Sequence, residues 1–122
     1  MTDDVFADRV AKVRQRFMST LEGKIDSTYA ALPDLGGAEP LAVAAVAEAY
    51  RCIHGIVGIG KTVGFPAVGA AAHDVEDVLR PPYHAGRGLT AEEISLLTTS
   101  LQTLREVAAR ELQSFPPHTL TA

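Results

Sequence analysis

His54 is the residue whose setting can do chemistry. It stands in the stretch RCIHGIVGIGKTVGF. A neutral imidazole at pH 7 is a good nucleophile, with an unperturbed pKa of about 6.5. It can accept a phosphoryl group when a partner supplies the donor, the metal and the charge-stabilising groups. Such an acceptor needs exposure, a flat docking surface and positive charge nearby. Arg51, one helical turn back, and Lys61, two turns on, could supply that charge. Ala47, Tyr50, Val57 and Phe65 share the same outer face and give it an apolar docking character. Gly58 lies one turn beyond His54, and a glycine there leaves the imidazole uncovered for a bulky partner. The plainer alternative is a surface histidine with no role, since exposed histidines are common.

A second chemical signal overlaps the first. GIVGIGKT, residues 55–62, satisfies the phosphate-loop pattern G-x-x-x-x-G-K-[ST] letter for letter. That loop works only after a β-strand and at the start of a long helix, where backbone amides face the phosphates. Here AEPLAVAAVAEAYRCIH precedes it and reads as helix, and Pro66 follows within a few residues. No apolar strand ending in aspartate follows to hold magnesium. We read the match as fortuitous, made by glycines present for another reason. The remaining histidines carry less. His73 stands near Glu76 and Asp77 and reads as a structural or interhelical hydrogen-bond donor, while His84 and His118 fall in proline-rich loop and tail. His54 and His73 together lack a compact ligand spacing, so no metal site is expected.

Four helical segments must position these residues, over about 3–32, 40–64, 66–80 and 90–113. In the first, Phe6, Val10, Val13, Phe17, Leu21, Ile25 and Tyr29 recur at steps of three and four, until Pro33 and PDLGGAEP break it. Pro40 suits the first turn of the second. The third carries Val68, Ala71, Ala72, Val75, Val78 and Leu79, and RPPYHAGRG is expected to end it. The fourth opens with Thr90 and Glu93, a capping box, and continues with Ile94, Leu97, Leu101, Leu104, Ala108 and Leu112. Amphipathic helices joined by short breaks bury their stripes against one another. The expected fold is therefore all-α, an antiparallel up-down-up-down four-helix bundle forming a single domain over 1–122.

Within the second helix, Ala45, Ala49, Cys52, Ile56, Ile59 and Val63 fall near one line at about 100° per residue. If that line faces the core, His54 points the opposite way, into solvent. Gly55, Gly58, Gly60 and Gly64 crowd the same helix, each costing about 0.5–1 kcal/mol relative to alanine. Close helix packing accounts for Gly60 and Gly64 but not for a glycine on the outer face.

Composition sets the outer bounds. The 122 residues are 47% hydrophobic and 21% charged, with a formal charge of −4. This is ordinary for a soluble globular domain and argues against nucleic acid as a partner. The only cysteine is Cys52, in keeping with a reducing, cytoplasmic setting, and MTDDVFADRV is too acidic for a secretory signal. The apolar region from about 56 to 72 contains Lys61, Pro66 and several glycines, and we do not read it as a membrane span.

HGIVGIGKTVGF resembles the motif H-x-x-K-G-x-x-x-x-x-G-F of histidine phosphotransfer (HPt) domains. His54 falls on the phosphorylated histidine, Gly58 on the glycine four residues on, and Gly64 and Phe65 on the closing pair. AAAHDVEDVLR is similar to the family's next helix, through Ala72, His73, Glu76, Val78 and Leu79. The resemblance spans essentially the whole chain. It implies a phosphorelay intermediate that takes a phosphoryl group onto Nε2 of the histidine from a receiver-domain aspartate or a kinase, then passes it to another receiver. It implies no cofactor of the chain's own, since the receiver carries the magnesium. One departure stands out: Val57 occupies the place of the family's usual lysine. Two readings follow. Either transfer proceeds with Lys61 or Arg51 assisting, or the chain is a non-catalytic module that docks a receiver or kinase domain.

Overall fold

The computed structural model describes residues 2–62 and 64–114. Among them the chain is all helical, with α1 over Thr2–Leu35, α2 over Leu41–Thr62, α3 over Pro66–Ala85 and α4 over Ala91–Ser114. α1 packs on α2 and α4, and α3 packs on the same two. The core between them contains Phe17, Leu21, Ile25, Ile53, Ile56, Phe65, Leu79, Leu97, Leu101 and Leu104, all buried. Burying a side chain of this size stabilises by about 1.5–3 kcal/mol.

Two helices outrun their expected ends. α1 continues through Pro33 to Leu35, because Leu35 is fully buried and its carbonyl accepts a 2.9 Å hydrogen bond from Leu89 N–H. α3 continues through Pro81 and Pro82 to Ala85. The two prolines forfeit intrahelical N–H donors, yet Pro82 is buried and the helix stops only at Gly86, whose left-handed φ of 65° forms the C-cap. There Gly86 N–H donates to the Tyr83 carbonyl and Arg87 N–H to that of Pro82. α4 begins with the capping box: Glu93 N–H donates to Thr90 Oγ1 at 3.1 Å, and Thr90 N–H to Glu93 Oε1 at 2.9 Å.

The buried line of α2 is Ala42, Val46, Ala49, Ile53, Ile56 and Gly60. Relative to the line expected from Ala45, Cys52 and Ile59, it is rotated by about 60°, because Val46 and Ile53 bury fully while Ile59 stays 45% exposed. Val63 lies outside the described residues. α2 is long and apolar enough to cross a membrane by length and composition, and its line from Ala42 to Gly60 is buried in the bundle. The approach to α3 is close: a methyl group added at Gly60 would lie 3.2 Å from the Gly69 Cα. On α1, Phe6 and Val13 are 68% and 47% exposed, so the early part of its stripe does not enter the core. On α4, the Leu112 side chain lies outside the description, as do His118 and the rest of the tail.

Candidate functional site

The rotation of α2 moves His54 off the apex of the helix and onto its flank beside α3. Its side chain remains 65% exposed, yet Nδ1 reaches the Oε2 of Glu76, a carboxylate only 4% exposed. A carboxylate only accepts hydrogen bonds. The contact therefore sets the proton on Nδ1 and leaves the lone pair of Nε2 pointing away from Glu76. The other carboxylate oxygen, Oε1, lies 3.6 Å from Nη2 of Arg80, one turn along α3. Arg80 also donates from Nη1 to Asp77 Oδ1 at 2.6 Å.

Tyr50 completes the frame. Its ring lies nearly parallel to the His54 imidazole, centroids 5.8 Å apart, and stacks on Tyr83 at 4.2 Å. The imidazole is thus held at one nitrogen by a buried carboxylate and along one face by an aromatic ladder. Gly58 has no neighbour within 4 Å of where a Cβ would stand, so the approach from that side is open. This arrangement presents a fixed nucleophilic nitrogen to an incoming electrophile.

The other expected site residues divide. Arg51 and Lys61 are exposed on α2, about 5 and 10 Å along the axis from His54. The Lys61 stem leans toward α3, its Cγ 3.4 Å from where a Gly69 Cβ would be. Ala47, Tyr50 and Val57 are half-buried and offer edges rather than whole side chains. Phe65 overturns its expected docking role. It is 1% exposed and stacks on Phe17 at 5.6 Å, because α2 ends at Thr62 and Gly64 (φ 91°) turns the chain inward. His73 is not an interhelical donor either: it is exposed and pairs with Asp77 on its own helix at 3.4 Å. His84 sits in the last turn of α3, its ring edge-on to Tyr50 and Tyr83. His73, Asp74 and Asp77 do bring ligand atoms within 4.8 Å of one another, but all three are exposed and Asp77 already engages Arg80.

Glu76 was missed as the partner of His54, and Arg80 as the cation beside Glu76. The available signal was Glu76 itself, an acid on the buried stripe of α3 between Ala72, Val75 and Leu79. A carboxylate so placed requires a partner, and the flank of α2 is the nearest source.

In comparisons with known proteins, the family model described as Hpt domain matches residues 12–107. No curated protein and no solved structure matches the chain.

Proposed function

From the premise that the chain belongs to the Hpt domain family, we propose that it is a phosphorelay intermediate with His54 as the phosphoryl acceptor. Hpt domains act in phosphorelay histidine phosphotransfer with receiver domains and histidine kinases. The observation that carries the assignment to His54 is its Nδ1 contact with buried Glu76, which leaves Nε2 outward and nucleophilic.

The Nε2 lone pair attacks the phosphorus of a receiver's aspartyl phosphate. A P–N bond forms, the P–O bond to the aspartate breaks, and the carboxylate leaves with the electron pair. The proton on Nδ1 stays in place, so the ring becomes cationic, and Glu76 stabilises that charge as it develops. Passing the group to a second receiver reverses these bond changes. Magnesium belongs to the receiver, and the chain needs no cofactor of its own. Arg80 answers the departure at Val57: it brings a cation to the site from α3 rather than from α2. We place the reaction in the cytoplasm, on an antiparallel up-down bundle, with Ala47, Tyr50 and Val57 at the docking edge and Arg51 and Lys61 lending positive charge.

The experiment is incubation with an acetyl-phosphate-charged receiver, followed by a search for acid-labile, base-stable phosphate on the chain. His54→Gln abolishes the label and leaves the fold intact. Receiver binding without label on the wild type supports instead a module that docks without transferring, the reading that Val57 favours.

A further inference from the structure

A single hydrogen bond does not fix an imidazole. The Nδ1 contact with Glu76 holds one point of the His54 ring. The ring can still tilt about the line from Nδ1 to the carboxylate, carrying Nε2 with it. A parallel ring against one face removes that freedom, and Tyr50 supplies it: the two rings lie within 14° of parallel, with centroids 5.8 Å apart. Tyr50 and His54 stand four residues apart on one helix, however, and such a pair attracts only weakly by itself. The Tyr50 ring requires a support of its own.

Tyr83 of α3 is that support. Its ring lies 8° from parallel to that of Tyr50, at a centroid distance of 4.2 Å, and both tyrosines pack against the buried core. His84 closes the ladder from the side, its ring at 60° to both tyrosines. α3 reaches this position only by running past Pro81 and Pro82, neither of which has an N–H to donate, before the left-handed Gly86 ends it. The cap bonds are made to the carbonyls of Tyr83 and Pro82 themselves, at 3.3 and 3.1 Å. The cap therefore fixes the backbone that carries the tyrosine.

We propose that Tyr83 is a positioning residue for phosphoryl transfer. It acts through Tyr50, holding that ring against the imidazole and so fixing the direction of the Nε2 lone pair. This role rests on His54 being the acceptor. The same face has a second effect once the P–N bond forms. The imidazole is then cationic and within about 6 Å of a tyrosine face, the range of a cation–π attraction. What Tyr83 contributes is a flat aromatic face rather than a hydroxyl or bulk, so phenylalanine replaces it and leucine does not.

Single-turnover transfer from an acetyl-phosphate-charged receiver, followed at rising receiver concentration, separates the rate within the complex from affinity for the receiver. Tyr83→Leu keeps an apolar side chain in place and lowers the saturating rate by about tenfold. Its half-saturating concentration stays within about twofold of wild type, and Tyr83→Phe transfers at the wild-type rate. In the free chain, the His54 ring protons are shielded by the parallel Tyr50 face; their resonances move downfield in Tyr83→Leu and stay in place in Tyr83→Phe. A Tyr83→Leu chain that transfers at the wild-type rate overturns the inference, as does a loss confined to the half-saturating concentration. So does slow transfer by Tyr83→Phe, which loses only a hydroxyl and decides the matter even if the leucine chain melts early. A wild type that takes no label refutes instead His54 as the acceptor. The ring resonances still decide the role of Tyr83 in that case, and unshifted signals in Tyr83→Leu overturn it.

Discussion

Replacing Glu76 by glutamine removes one charge from the site and almost no volume. The native carboxylate is 4% exposed, holds His54 Nδ1 through one oxygen and lies 3.6 Å from Arg80 at the other. A hydrogen bond to a charged group contributes about 1.5–3 kcal/mol, against about 0.5–1.5 kcal/mol for a neutral one. The difference, about 1–2 kcal/mol, bears on rate because the ring becomes cationic only as the P–N bond forms. At about 1.4 kcal/mol per factor of ten, transfer onto His54 slows about 5–30-fold. The amide has a second effect. It can turn its NH₂ toward Nδ1, which selects the tautomer with the proton on Nε2 and removes the attacking lone pair, so the loss falls toward the upper end. The assay is the initial rate of label transfer from a fixed amount of charged receiver, with a thermal melt on the same sample. Arg80→Gln gives a smaller loss in the same direction, and the two changes combine non-additively because they act through one carboxylate. A Glu76→Gln protein that melts normally and transfers within twofold of the wild-type rate refutes the reasoning.

Phe65→Ala lowers stability by about 3–5 kcal/mol in denaturant unfolding, because the ring is 1% exposed and stacked on Phe17; a docking residue would cost far less. Gly58→Ala leaves stability unchanged or raises it by up to about 1 kcal/mol, since nothing lies near the added methyl, whereas Gly60→Ala destabilises by forcing the Gly69 backbone away. The Arg87 guanidinium, with Thr90, holds the Glu93 carboxyl down to about 2. This depressed value means that the pair stabilises the fold above about pH 4.5 and that the contribution is lost as pH falls toward 2. With Arg87 screened by water, the amount is about 1 kcal/mol, so acid-unfolding curves of wild type and Glu93→Gln converge toward pH 2. Val57→Lys lengthens the lifetime of the phosphorylated form, measured as label retained at neutral pH, by adding a cation on the flank of His54.

The helical stripes were legible because their periodicity is long and unambiguous: Leu97, Leu101 and Leu104 on α4, and Val68, Ala72, Val75 and Leu79 on α3, all bury as expected. The exposure of His54 was legible for the same reason. What escaped notice depends on tertiary contacts. Pro81 and Pro82 failed to end α3 because the packing of Pro82 and the Gly86 cap decide where it stops. Phe65 looked like an outer-face residue only while α2 was extended through 64; the positive φ of Gly64 redirects it. The rotation of α2 hinges on Val46 and Ile53, and only that rotation brings His54 to Glu76. Periodicity along one helix does not specify which edge of its neighbour it meets.

The most direct measurement is nuclear magnetic resonance of the chain, labelled with ¹⁵N at histidine, after phosphoryl transfer from a receiver. Phosphorus coupling to Nε2 of His54, with the Nδ1 proton retained, is the predicted result. Phosphate on Nδ1, on another residue, or on no residue of a chain that still binds the receiver would contradict the account.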